Sequence, residues 1–454
     1  MDVINPATGE VIEKFVTDTP QTIEEKYQQA RAAQPEWGAL MVSERVEYIA
    51  KFRELMKRDL DTLALDLTKE TGKPLQQSKN EVLGGINKLK FFLEKSEEYL
   101  SAEKVNEDGN TEEFLAYDPL GVIANISAWN YPYLVGINIF VPALICGNAV
   151  MYKPSEFSML TGRHITRLLH EAGIPEDIFV PVYGDGSVGA LLTALPLDGY
   201  FFTGSYPTGK KIAEAVAGKL VPVGLELGGK DPLYVTEDIS DIEAVADAVA
   251  EGVLYNNGQS CCSVERVYVH DDIFDEFITQ LKKKMSAWKV GNPMDESTMC
   301  GAITRRSHLD FMKAQIEDAK AKGAKVLLGG KIIEGKGNFF EPTLLINVDH
   351  EMDVMIEETF GPVIGVMRVE SDEEAIELMN DTDFGLTSSV YCADEERGEE
   401  ILSQIHSGTG YLNCCDRVSG YLPWSGRGRS GLGSTLSKHG LYAFCNPKGL
   451  HIRL

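Results

Sequence analysis

Apolar residues in the first hundred positions recur with a helical period, Val46, Ile49, Phe52, Met56, Leu60, Leu63 and Leu67 falling on one face. The tetrapeptide TIEE at 22–25 has the form of a capping box and predicts a helix start there. From about residue 120 the pattern changes: short apolar runs (GVIANISAW, NAVMYK, FVPVYG, GYFFTGS and VGLEL) alternate with helical stretches such as TGRHITRLLHEAG. That alternation predicts a parallel sheet covered by helices. A second cycle follows residue 230, with VERVYVH, AKVLLGG, GPVIGVMRV and SSVYCA as strands and DIFDEFITQLKKKMSAW as a helix. The chain reads as two α/β domains in tandem, without an internal repeat, low-complexity tract or long linker, so the domains are expected to pack closely and meet at a cleft.

Length agrees with this division, because 454 residues exceed the roughly 250–300 at which a single core stops growing. A composition of 43% hydrophobic and 25% charged residues supplies ample side chain to bury. The balance of 43 Lys+Arg against 69 Asp+Glu gives a formal charge of −26, which repels a phosphate backbone and argues against nucleic-acid binding. No run reaches the roughly 20 apolar residues of a membrane span, and MDVINPATGE has neither a basic start nor an apolar core. A cytoplasmic protein without a membrane partner is expected. Eight cysteines without a CxxC, and eight histidines without HxH or HExxH spacing, signal neither a disulfide framework nor a metal site.

Three segments carry candidate chemistry. GDGSVG, Gly184 to Gly189, matches GxGxxG and follows an apolar strand, making Gly184 a cofactor candidate, but the stretch FTGSYPTGKK some twenty residues on lacks the acid that holds a ribose. FFTGSYPTG is the stronger phosphate site: a buried strand ends at Thr203 and a helix opens near Pro207, leaving free N–H groups beside Gly204 and Ser205. In NNGQSCCSVER, Cys261 and Cys262 follow a glycine turn, and about 35 residues upstream VGLELGGKDP sets Glu226 at a strand end, where a carboxylate reaches a cleft. A lone cysteine is usually a small buried hydrophobe. A thiol, a carboxylate and a phosphate-binding turn together point to covalent redox catalysis.

The ordered set of motifs resembles the aldehyde dehydrogenase superfamily over essentially the whole chain. It comprises INPATGE at the start, SAWNYP at 127–132, GNAVMYKPSE at 147–156, FTGS at 202–205, ELGGK at 226–230, NNGQSC at 256–261, EETFGP at 357–362 and PWSGRGRSGLG at 423–433. The resemblance implies an α/β, aldehyde dehydrogenase-like fold of two Rossmann-like open α/β domains with a small β oligomerisation arm. Its expected divisions are a cofactor-binding domain of 1–101 and 120–228, a catalytic domain of 229–430, and an arm of 102–119 and 435–454. It implies a homodimer or homotetramer, with KGLHIRL in the pairing arm.

Carried over by position, the resemblance makes Cys261 the nucleophile, Glu226 the base that activates hydrolytic water, and Asn130 an oxyanion donor together with the Cys261 amide. Lys153 and Glu156 are expected at the adenosine ribose, Ser205 at the pyrophosphate, Glu358 at the nicotinamide ribose, and Phe360 and Trp129 along the same crevice. Glu156 favours NAD over NADP, although NADP is possible. Where the family commonly has PFGGxKxSG, this chain has PWSGRGRSG, with Trp424, Ser425 and Gly428 at the differing positions. The expected pocket wall of Tyr131, Asn138, Cys262, Arg417, Val418 and Trp424 admits an aromatic or medium aliphatic aldehyde, or a semialdehyde held by Arg417. Hydrolytic aldehyde oxidation is the expected activity. A CoA-acylating semialdehyde dehydrogenase is disfavoured by Glu226, and a non-catalytic structural role by the joint presence of Cys261, Glu226 and Asn130.

Overall fold

The computed structural model describes residues 1–454. Helix α1 (Pro20–Ala39) starts earlier than TIEE suggests. The Thr19 hydroxyl accepts from the Thr22 amide at 3.2 Å while Thr22 Oγ1 accepts from the Thr19 amide at 2.9 Å, and Pro20 presets the first helical φ. Thr22 therefore closes the capping box rather than opening it. Helices α2 (Val42–Arg58), α3 (Leu60–Thr71) and α4 (Leu75–Leu100) follow, and Ile49, Phe52, Met56, Leu63 and Leu67 are fully buried between them. A short antiparallel hairpin, Asp2–Ile4 with Val11–Lys14, precedes them and was not anticipated from so few residues.

The first sheet has six strands in the order Gly431–Leu432, Val223–Glu226, Gly199–Thr203, Val122–Ile126, Ala149–Lys153 and Phe179–Pro181. All are parallel except the edge strand Gly431–Leu432. Val122–Ile126 and Ala149–Lys153 are buried throughout, as continuous apolar runs in a doubly covered parallel sheet should be. The order in which strands are added reverses between the parallel neighbours Val122–Ile126 and Gly199–Thr203. In open α/β sheets the crevice at the carboxyl ends of such strands is where ligands bind. Helix α5 (Pro132–Ile145), almost entirely buried, packs between this sheet and α4.

The second sheet has seven strands in the order Lys325–Leu328, Thr343–Ile346, Val363–Val369, Arg266–His270, Pro232–Val235, Thr387–Tyr391 and Thr409–Leu412, with only Lys325–Leu328 antiparallel. Separate apolar layers cover its two faces. The third sheet is antiparallel, Glu103–Asp108, Thr111–Pro119 and Cys445–Arg453, with pairing running from Cys445 opposite Pro119 to Arg453 opposite Thr111. No helix is long and apolar enough to cross a membrane.

Residues 435–444 bridge that small sheet and the first domain, Tyr442 stacking on Tyr117 of the sheet with ring centres 4.6 Å apart. Leu436, Leu441 and Phe444 are fully buried in the core of the first domain, the Phe444 ring lying 4.3 Å from Phe201, because the helix Ser437–Tyr442 packs on α4 and α5. Phe444→Ala is therefore expected to cost about 3–5 kcal/mol in urea unfolding. A cost below about 1 kcal/mol, ordinary for a surface change, would put this segment in the arm.

Candidate active site

The turn that presents Cys261 runs through Asn256 and Asn257, both left-handed with φ of 54° and 60°, a conformation asparagine tolerates better than most residues. Asn257 is locked there: its Nδ2 donates to Ala302 O at 3.1 Å and its Oδ1 accepts from the Gly301 amide at 2.6 Å. Gly258 has φ +70°, and a Cβ on it would stand 2.2 Å from Gly361 O. The turn thus packs backbone to backbone against the 357–362 loop. Cys261 emerges half-buried.

Cys261 lines two cavities, of about 970 and 790 Å³. Tyr131, Asn138, Cys262, Arg417, Val418 and Trp424 all line the larger one, as does Glu226. Arg417 is an exposed residue there, and Cys262 donates to Asp416 Oδ1 at 3.0 Å. Trp129, Asn130, Lys153, Glu156, Gly204, Ser205, Glu358 and Phe360 line the smaller one, which opens at the carboxyl ends of Val122–Ile126 and Gly199–Thr203. Gly184 departs from the expectation. It forms the turn before the helix Gly186–Ala194, facing Val188 and lying outside the lining, while Gly186 and Gly189 line the cavity instead.

Asn130 owes its position to buried charge. Lys73 and Glu81 form a fully buried ion pair, and Lys73 Nζ also donates to Asn130 O at 2.8 Å and lies 4.0 Å from the Tyr131 ring centre. Glu81 Oε1 accepts from the Tyr133 amide at 3.0 Å, so both sides of Asn130 are held. Asn130 Nδ2 donates to Gln259 O at 3.2 Å, tying it to the cysteine turn. Its second N–H remains available.

Glu226 ends its strand half-buried and accepts a hydrogen bond from Thr435 Oγ1. Burial pushes its carboxyl up to about 7, opposed by the Thr435 hydroxyl and by Lys88. Lys88, Thr435 and Asp416 belong to this site but escape the sequence motifs. Lys88 lies inside α4, and Thr435 beyond the glycine-rich loop.

The smaller cavity suits an extended phosphate-bearing ligand. Ser205 caps the helix Tyr206–Val216, and the amides of Ser205 and Tyr206 have no acceptor within the protein. The buried hydroxyls of Ser127 and Thr203 also have no partner. Lys153 Nζ lies 3.9 Å from Glu156 Oε2, and Trp129 meets Phe360 edge-on at 5.6 Å. Glu358 accepts from the Gly229 amide at 3.2 Å, and burial beside Glu265 pushes its carboxyl up to about 8.

A model of the aldehyde dehydrogenase family matches residues 1–450. The chain belongs to that family. Members of the aldehyde dehydrogenase family oxidise aldehydes with NAD or NADP, and this chain is an oxidoreductase of that class. It is 34% identical over 457 residues to the betaine aldehyde dehydrogenase of Rhizobium etli (strain CIAT 652), covering 100% of this chain and 93% of that one. It superimposes with a TM-score of 0.96 on the betaine aldehyde dehydrogenase of Staphylococcus aureus in complex with NAD+, at 31% identity and covering 100% of this chain and 92% of that chain. Lactaldehyde dehydrogenase from Escherichia coli superimposes equally, with a TM-score of 0.96 at 33% identity, covering 100% and 96%.

A carboxyl raised by burial makes the fold less stable as it ionises. Because Glu226 titrates higher folded than unfolded, its contribution is complete below its ordinary range near 4.5 and lost as pH rises through about 7. Between pH 5 and 8 the Tm of wild type should therefore fall relative to that of Glu226→Gln. Parallel curves would mean that Glu226 titrates in its ordinary range.

Proposed function

We propose that this aldehyde dehydrogenase is hydrolytic, carries the substrate as a thioester on Cys261, and prefers NAD. The observation that carries the reading is the place of Cys261, the residue named above as common to both cavities, with Glu226 in the wall of the larger. A thiolate there meets an aldehyde from one side and a dinucleotide from the other. The free N–H of Asn130 and the Cys261 amide stabilise the oxyanion, donors of a kind typically worth about 3–4 kcal/mol each in the transition state. A bound nicotinamide supplies the hydride acceptor that converts the thiohemiacetal to the thioester. Glu226 then takes a proton from water, whose oxygen attacks the acyl carbon, and the C–S electrons return to Cys261.

Tyr131, Leu134, Tyr255 and Trp424 in the larger cavity suit an aromatic or medium aliphatic aldehyde. Ser205 and its helix N-terminus receive the pyrophosphate, Lys153 and Glu156 the adenosine ribose, and Glu358 and Phe360 the nicotinamide end. The small three-stranded sheet, with Val105, Leu450, Ile452 and Leu454 exposed, is the surface through which copies of the chain assemble as a dimer or tetramer. A CoA-acylating enzyme would have no use for Glu226 as a water-activating base.

Cys261→Ala should abolish aldehyde-dependent NADH formation, whereas Cys262→Ala should retain much of it, and equal losses would refute the assignment. Glu226→Gln should release one equivalent of NADH per site in a burst and then stall. Steady turnover without a burst would remove Glu226 from the hydrolytic step. Glu156 accepts from ribose hydroxyls but repels a 2′-phosphate of ~−1.5 to −2 charges. Wild type should accordingly show the higher kcat/KM with NAD, and Glu156→Ser should shift the ratio toward NADP. A wild-type preference for NADP would overturn this role.

A further inference from the structure

Lys88 is 9% exposed and lines the larger cavity together with Glu226, Cys261 and Cys262. It projects from the middle of α4, where its ammonium donates to Asn138 Oδ1 at 3.0 Å and has no carboxylate within ion-pair distance. A buried ammonium without a counter-ion is costly, and such groups concentrate where their charge is used. The acids around it have other partners: Glu81 on its own helix is paired with Lys73, Asp416 accepts from Cys262, and Glu226 accepts from Thr435. Glu251 lines the same cavity from the helix Ile242–Leu254, and Arg417 is the second cation in the wall, on the loop beyond Thr409–Leu412.

We propose that Lys88 is a positioning residue for the hydrolytic step, its ammonium keeping the Glu226 carboxylate ionised and ready to take a proton from water. The inference rests on the reading of Glu226 as the base. Lys88 is the charged side chain that opposes the rise of Glu226, and Glu226 is the foremost carboxylate that opposes the fall of Lys88. Burial lowers the Lys88 ammonium to about 8, and the carboxylates of Glu226 and Glu81 hold it from falling further. The pair is matched: each opposes the shift that burial imposes on the other. Water loses its proton to Glu226, its oxygen bonds the acyl carbon, and the C–S bond breaks to regenerate the Cys261 thiolate. Lys88 forms no bond in this sequence and acts through Glu226.

The test compares Lys88→Met, Lys88→Gln and Lys88→Arg in the full-length enzyme, using an uncharged aldehyde with saturating NAD. Lys88→Met and Lys88→Gln should keep a full NADH burst, while the acid limb of steady-state kcat moves up by about one pH unit. At pH 6 kcat should then be about tenfold below wild type, with the deficit closing by pH 9. Lys88→Arg should return the limb toward its wild-type position, and Lys88→Met should add no further loss in a Glu226→Gln background. A kcat that falls equally at every pH, or an unmoved limb, would overturn the proposal. So would a rise in KM confined to carboxylated aldehydes with the limb unmoved, which would make Lys88 a substrate anchor. The Glu226 reading itself stands or falls on the burst of Glu226→Gln, so the two failures are distinguishable.

Discussion

The buried ion pair of Lys230 and Glu265, 2.6 Å between Nζ and Oε2, is the joint on which both cavities depend. Its desolvation is offset only because every remaining polar atom is engaged, as a buried pair requires. Lys230 Nζ also meets Thr359 Oγ1 at 3.1 Å, and the amides of Thr359 and Phe360 donate to the two Glu265 oxygens at 2.7 Å each. The 357–362 loop therefore hangs from Glu265, bringing Glu358 and Phe360 to the smaller cavity and Gly361 against the cysteine turn. The neighbouring Asp231 accepts from the Thr387 amide at 3.1 Å, anchoring the same joint to the second sheet. Removing either ion of such a pair typically costs about 3–5 kcal/mol, and here the loss would reach the Cys261 turn, the wall of the smaller cavity and the second sheet together.

What the sequence made legible lies where chemistry coincides with a change of chain direction. Strand ends carry Asn130, Ser205 and Glu226, and an asparagine-glycine turn between a helix end and the next strand carries Cys261, so there the short-range pattern and the candidate site occupy the same few residues. The parallel sheets were readable for the related reason that strands buried on both faces must be continuously apolar. Residues on helix faces behave differently. A lysine in a helix such as α4 reads as solvent-facing, and only the placement of α4 over a cavity makes Lys88 an interior charge. Thr435 and Asp416 were hidden likewise, since a threonine after a glycine loop and an acid after two cysteines carry no periodic signal. The burial of Leu436, Leu441 and Phe444 in the first core was equally hidden, because three apolar residues in and beside a short helix do not say which core they enter. Gly184 satisfied a letter pattern whose physical requirement, a helix N-terminus at the reversal of strand order, is met by the segment after Thr203 instead.

The two buried lysines near the site illustrate opposite uses of the same group. Lys73 is neutralised by Glu81, and its remaining hydrogen bond fixes the Asn130 carbonyl, so its charge serves geometry. Lys88 faces a neutral amide, so its field extends into the cavity. The difference follows from counter-ion placement on a single helix: Glu81 lies two turns before Lys88 and turns toward Lys73 at the helix start.

A base that must take a proton from water near neutral pH works best when its own affinity for protons is near that pH. A solvated glutamate at its ordinary value near 4.5 would be ionised but a weak acceptor, and one buried without compensation would hold its proton and accept nothing. Burial, the Thr435 hydroxyl and the Lys88 ammonium leave Glu226 between these limits, at about 7. Thr435 lies just past the edge strand Gly431–Leu432, which pairs with Leu225 and Glu226. The C-terminal loop thus reaches Glu226 through the first sheet, and Trp424, one of its departures from PFGGxKxSG, bridges to Thr435 and lines the same cavity as Glu226.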